Sequence, residues 1–256
     1  MNVIQDRPPL MVDIQTEAQT RLHLCALYRL MAHFHLEDLI FTHASAKVPG
    51  ENAFLINPFG LRFDEVTPQN LVKIDYQGMV DGDDAFPANA AGYVIHSAIL
   101  AAREDIGCVI HTHTRAGVAL SCLEEGLLPI NQFAVEFYKR VGYHEYEGIA
   151  FNLDEGPRLR HDLADNVALV LRNHGLLTVG PNIPSAFYLM YYLEQAAQVQ
   201  IDVLSTGRPF VTPPKAMLER AVMQFTSSFN PPAAGQRMWP SLLRLLDERY
   251  PGWSNH

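Results

Sequence analysis

The pair His111 and His113 restricts this chain more than any other feature. They stand two apart in the run Cys108-Val109-Ile110-His111-Thr112-His113. A short apolar, β-branched run of this kind reads as a buried strand. Residues i and i+2 of a strand project from one face, so two imidazoles share one space. Such a pair is a bidentate grip for a divalent cation, or two packed core histidines; the spacing alone leaves both open. His174 is the third candidate, in Arg172-Asn173-His174-Gly175, a break between the apolar segments Val167 to Val170 and Leu176 to Val179. Gly175 permits a backbone turn there that other residues resist. Three imidazoles with one or two open positions describe a catalytic centre for zinc or a similar ion.

The other segments suggest a sheet layered with helices. A helix capped by Thr16 or Thr20 runs to about His35, with Leu24, Leu27 and Met31 on its apolar stripe. Strand-like runs follow at Leu39 to Val48, Ala53 to Asn57 and Leu71 to Asp75, punctuated by Gly50, Pro58-Phe59-Gly60 and Asp81-Gly82-Asp83. Helical patterns cover Asn89 to Arg103, Ala116 to Leu123, Pro157 to Asp165, Ser185 to Ser205, Lys215 to Thr226 and Trp239 to Glu248. Gln132 to Phe151 is aromatic and acidic, ambiguous between strand and loop. Strands in hairpin-like succession predict a mixed or antiparallel sheet rather than a doubly wound parallel one. The 256 residues fit one domain, with residues 1–15 as a loose arm and 207–256 as a helical extension.

Composition narrows the function. The net charge is −9, and no basic stripe emerges, which argues against nucleic acid or an anionic membrane as partner. No apolar run approaches a membrane span, and the N-terminus lacks a secretion signal. Cys25, Cys108 and Cys122 are odd in number and unpatterned, so we expect buried, reduced thiols and a cytoplasmic protein.

Four ordered blocks, Phe54 to Asp75, Asn89 to Thr114, Tyr143 to Ala150 and Leu169 to Gly180, resemble the class II aldolase/adducin family. The resemblance covers about residues 18–205. It implies a three-layer α/β/α fold with a central, mainly antiparallel sheet. It implies that His111, His113 and His174 are metal ligands; three nitrogen donors make zinc the first choice, with manganese, iron or cobalt open because selection depends on availability. It also implies a homo-oligomer, most often a tetramer, with sites at subunit boundaries. Aromatic residues Phe133, Phe137, Tyr138 and Tyr143 are the expected surface for that assembly.

The departures from the family's sugar-phosphate aldolases shape the expected chemistry. Their metal-binding, catalytic Glu stands four residues before the helix histidine matched by His96; here that position is Gly92. Their phosphate pocket is matched by Thr42-His43, Phe59-Gly60 and Ala90-Ala91, where most phosphate-holding polar groups are gone. These positions, with Gly92, are the expected substrate-binding residues. The local pattern is closer to the adducin branch. A Lewis-acid cation can stabilise an enolate as a carbon–carbon bond breaks, and decarboxylation does so without the lost base. Tyr138, Glu136 and His144 are the candidates for proton transfer, with Glu136 and Tyr138 on one face if that piece is extended. Arg172 and Lys47 are candidates for a substrate carboxylate or for structural ion pairs. The expected function is a metal-dependent lyase, an aldolase or decarboxylase, acting on a small non-phosphorylated oxo or hydroxy acid. A non-catalytic adducin-head-like scaffold is the second reading, weakened by the absence of a basic tail before His256. A sugar-phosphate epimerase is the third.

Overall fold

The computed structural model describes residues 13–81, 87–227 and 231–254. The expected N-terminal arm falls mostly outside these residues, as does part of the Asp81-Gly82-Asp83 turn. The elements are α1 (Glu17–His33), β1 (His43–Lys47), β2 (Ala53–Ile56), β3 (Val72–Asp75), β4 (Val80–Asp81), α2 (Ala90–Ala102), β5 (Cys108–Thr112), α3 (Arg115–Ser121), α4 (Gln132–Val135), β6 (Val141–His144), α5 (Gly156–Leu163), β7 (Ala168–Leu171), β8 (Gly175–Gly180), α6 (Ile183–Ser205), α7 (Lys215–Ser227) and α8 (Pro231–Arg249).

Eight strands form one sheet in the order β4-β3-β2-β1-β5-β8-β7-β6. Every pairing is antiparallel except β6 with β7. The sheet is thus mainly antiparallel, and helices cover both of its faces, as the family resemblance implies. The period-two alternation of the strands divides the core in two. Ala44, Ala46, Leu55, Cys108, Ile110, Val170 and Leu176 pack with α1, α6 and α8. Phe54, Ile56, Val109, Leu169, Leu177 and Val179 pack with α2 and α5. Each large apolar side chain so buried contributes about 1.5–3 kcal/mol.

Local chemistry fixes the helix starts. Thr16 and Gln19 form a reciprocal capping box on α1. Asn89 caps α2 by accepting from the backbone N–H of Ala91 and Gly92, and Asn182 caps α6 by accepting from that of Ser185.

Several sequence expectations are corrected. The first strand begins at His43, not Leu39: Leu39 and Thr42 adopt positive φ (52° and 65°), which breaks the extended run. Cys25 and Cys108 are buried thiols, but Cys122 is exposed at the end of α3. The ambiguous stretch resolves into α4, a turn and the parallel strand β6. Glu136 has αR backbone at the end of α4, so it does not share an extended face with Tyr138. Phe137 is buried and Tyr143 half-buried in a single chain, so neither forms the expected open aromatic surface. Exposed apolar residues of this region lie just beyond, at Tyr146, Ile149, Phe151 and Leu153.

Candidate metal centre

Sheet register builds the centre. His43 at the start of β1 pairs with His111 near the end of β5. His111 pairs with Leu177 on β8, and Leu171 on β7 with Gly175. Leu171 also pairs with His144, the last residue of β6. Four strands therefore present His43, His111, the His174 turn and His144 at one end of the sheet. His111 shares the parity of Val109, and His43 that of Ser45, so both face the α2 layer, opposite Ala44 and Ile110.

The β7–β8 turn supplies His174. The positive φ of this turn falls on Asn173 (56°), not on Gly175 as the sequence suggested. Gly175 is required for another reason: a Cβ there would stand 2.3 Å from the carbonyl oxygen of Thr112. The close approach seats His174 over β5.

His111, His113 and His174 come together. His111 Nε2 lies 2.8 Å from His113 Nε2 and 3.2 Å from His174 Nε2. The opposite nitrogens are already engaged. His111 Nδ1 donates to the Leu176 carbonyl at 2.9 Å, and His113 Nδ1 pairs with Asp38 Oδ2 at 3.0 Å. A neutral imidazole that donates from Nδ1 carries a lone pair on Nε2. With both rings in that tautomer, lone pairs converge from His111 and His113, and two acceptors cannot satisfy each other. The donor set fits a cation, and the Asp38 carboxylate and the Leu176 carbonyl are the partners that orient metal-bound histidines. Burial holds His111 well below the usual imidazole range, reinforced by neighbouring imidazoles. Burial, with His113 and His144 nearby, lowers His174 to about 4. Both are neutral and ligand-ready at pH 7. Replacing Asp38 with Asn should weaken divalent-metal affinity about 10- to 100-fold while the triad stays intact. Competition with a fluorescent chelator measures the change; an unchanged affinity contradicts the orienting role.

A second, fully buried chain stands behind the triad. Ser45 Oγ lies 2.5 Å from His96 Nδ1, and His96 Nε2 lies 2.7 Å from His43 Nδ1. The His43 ring is 5.1 Å, centroid to centroid, from that of His111. Burial depresses both members: His43 falls well below its ordinary range and His96 to about 3. The His43 ring also occupies the space beside Gly92, where a Cβ would meet His43 Cδ2 at 3.0 Å and Ile56 Cδ1 at 3.0 Å. The position matching the aldolase Glu thus lacks room as well as a carboxylate. Gly92→Glu should destabilise the protein by about 1–3 kcal/mol through overpacking. That corresponds to a drop of roughly 2–12 °C in Tm for a chain of this size. The pair Gly92→Glu with His43→Asn should recover most of it in the same calorimetric scan.

The remaining sequence candidates are placed as follows. Thr42 is buried, and its Oγ1 has no hydrogen-bond partner among the described residues. Phe59 packs with Phe41 at 6.1 Å between ring centroids. Gly60 has φ 105° in the turn after it. Ala90, Ala91 and Gly92 form the first turn of α2, whose Ala91 and Gly92 N–H groups Asn89 already occupies. His144 is buried with Nδ1 2.8 Å from Asp162 Oδ2 and Nε2 3.3 Å from Glu155 Oε1. Glu136 accepts a hydrogen bond from Tyr188 at 3.0 Å, on α6. Tyr138 is half-buried, with the Lys139 ammonium 5.3 Å from its ring centroid. Lys47 donates to the Arg103 carbonyl at 2.8 Å. Arg172 donates to the Leu123 carbonyl and lies 4.5 Å over the Tyr143 ring. Both cations have structural partners. Sequence reading missed Asp38, whose signal was weak: one acid among the polar residues before β1.

Residues 22–201 match the family model "Class II Aldolase and Adducin N-terminal domain". A Pseudomonas aeruginosa protein named for the class 2 aldolases is 46% identical over 243 residues, spanning 93% of this chain and 92% of its own. Alpha-adducin of Rattus norvegicus is 42% identical over 198 residues, which are 75% of this chain but 27% of that protein. Among solved structures, an aldolase II superfamily protein from Pseudomonas syringae aligns with a TM-score of 0.85 at 45% identity, covering 93% of this chain and 97% of that one. L-fuculose 1-phosphate aldolase from Glaciozyma antarctica aligns with a TM-score of 0.82 at 26% identity, covering 95% and 96%.

Proposed function

The chain belongs to the class II aldolase and adducin family, and from this premise we propose that it is a divalent-metal-dependent carbon–carbon lyase for a small, non-phosphorylated oxo or hydroxy acid. The observation that carries the reading is the convergence of acceptor nitrogens on His111 and His113, joined by His174. His111, His113 and His174 would hold a divalent ion, zinc first, which would supply Lewis-acid chemistry toward a substrate oxygen. The chain's own residues do the rest. Asp38 and the Leu176 carbonyl lock two imidazoles in the tautomer that presents Nε2. Phe41 and Phe59 offer an aromatic wall for a substrate body. Asn89 blocks the α2 N–H groups, which supports a substrate without phosphate. Thr42 Oγ1, without a partner among the described residues, is a hydrogen-bonding group for a substrate oxygen.

No carboxylate lies on α2 to act as base, so the reaction is retro-aldol cleavage with an outside base, or loss of CO₂. His144, at the same end of the sheet, is one candidate to return the proton. Tyr138, half-buried, is the other, reaching a site from a neighbouring chain, whereas Glu136 is buried against Tyr188 and does not reach out from its own chain. A homotetramer is the proposed assembly, and the exposed Tyr146, Ile149, Phe151 and Leu153 favour burial against a second copy. Among the described residues no helix is long and apolar enough to cross a membrane. With its free thiols, this agrees with the proposed cytoplasmic setting.

The test is a panel of 2-oxo and hydroxy-aromatic acids and of pentose and deoxyhexose phosphates, each with and without divalent metal. Metal-dependent turnover of an acid is expected. Turnover confined to phosphates overturns the substrate class. No turnover together with saturable binding to actin filaments selects the scaffold reading, which the adducin similarity favours.

A further inference from the structure

A second cavity, of about 550 Å³, lies between the segment at α4 and the helices α6 and α7. Its lining includes Phe133, Glu136, Tyr188, Tyr192, Gln224 and Phe225, and none of the metal-centre histidines. Glu136 is 2% exposed. Tyr188 donates to its Oε2 at 3.0 Å, and Oε1 has no hydrogen-bond partner among the described residues. An unpartnered buried carboxylate oxygen is costly, more so when charged. A fold that keeps one beside a cavity leaves a place for a donor. The walls state which donor: Phe133, Tyr188 and Tyr192 present π-systems, and aromatic faces attract cations within about 6 Å. Tyr188 and Tyr192 rings pack at 4.7 Å, and Tyr192 and Phe133 at 5.6 Å, a preformed aromatic corner.

We propose that this cavity binds a small organic ammonium with an apolar body, its N–H groups reaching Glu136 Oε1 and its body held by Phe133 and Tyr192. The site is separate from the metal centre and does not rest on the lyase reading. The groups facing Glu136 are consistent with one added cation. Arg140 lies nearby but donates to the Glu136 backbone carbonyl, not to the carboxylate. Lys139 is engaged with Glu219 on α7. Tyr188 and Tyr192 are neutral, their phenols raised by burial. Burial raises Glu136 to about 7. Ammonium affinity therefore increases as pH rises from 6 to 8, while the amine itself stays protonated.

The probes are benzylamine and its neutral counterpart, benzyl alcohol, titrated calorimetrically into the full-length protein at pH 8. Benzylammonium should bind at least about tenfold tighter than the alcohol, the margin of one charge-assisted hydrogen bond. Glu136→Gln, whose amide oxygen can still accept from Tyr188, should abolish that margin. Tyr192→Leu should weaken the amine several-fold more than the alcohol. His113→Ala should leave both affinities unchanged. Equal binding of amine and alcohol reduces the cavity to an apolar hollow and overturns the proposal, as does failure of both to bind. Loss of amine binding in His113→Ala, with none in Glu136→Gln, places the amine at the metal centre instead and equally overturns it.

Discussion

His113→Ala should weaken divalent-ion affinity by about a hundredfold or more. Tetrahedral protein zinc sites contribute roughly 10–16 kcal/mol through four ligands, hence about 2.5–4 kcal/mol for each. His113 also carries the contact to Asp38, so its removal frees that carboxylate as well. The fold should persist, because His113 lies just past the end of β5 and outside its paired register with β8. Elemental analysis after dialysis against a competing chelator reads the loss, and circular dichroism reads the fold. Metal retained at the parent stoichiometry refutes the triad as the site. A variant that binds no metal because it is unfolded assigns His113 to the core.

Acid should unfold the metal-free protein steeply below pH 6.5. His96 ionises near 3 in the fold because burial opposes its charge, and His174 near 4 for the same reason, with His113 and His144 adding to it. His43 and His111 are likewise depressed, again mainly by burial. Unfolded, all four titrate near 6.5. Between these limits the unfolded chain binds more protons, so stability is full above pH 6.5 and is lost as pH falls. Glu136 acts the other way. Burial raises it to about 7, so from pH 7 to about 4.5 the folded state holds a proton that the unfolded one releases. The net is about three protons, a slope of roughly 4 kcal/mol per pH unit near pH 5.5. Urea denaturation at pH 8, 7, 6 and 5.5 measures it. His96→Gln should flatten the slope by about one proton, and an unchanged slope shows that His96 does not carry the linkage.

The apolar grammar of the strands was legible before any coordinates. Cys108 to His113 and Leu176 to Val179 are bounded apolar runs whose stable home is a sheet interior, and they supply β5 and β8, which pair. The i, i+2 placement of His111 and His113 carries directly into a shared space. What was hidden is tertiary. Nothing local marks β6 as a strand, since Val141 to His144 owes its extended form to parallel pairing with β7. The turn was assigned to the wrong residue because Gly175 signals positive φ in isolation, whereas Asn173 supplies it and Gly175 answers a steric demand from Thr112. His43 read as a lost phosphate contact. Only the β1–β5 register reveals it as a ring packed on Gly92 and joined to His96. Asp38 pairs with a histidine 75 positions away, beyond the reach of any spacing rule.

The contact between Gly92 and the His43 ring makes the two positions epistatic. A carboxylate at 92 is disfavoured while the imidazole is present, and an imidazole withdrawn alone leaves a void beside His96. Each single step between this pocket and one with a helix carboxylate therefore carries a stability cost that the paired exchange relieves. Engineering an aldolase base into this scaffold is best begun as a two-residue exchange at positions 43 and 92.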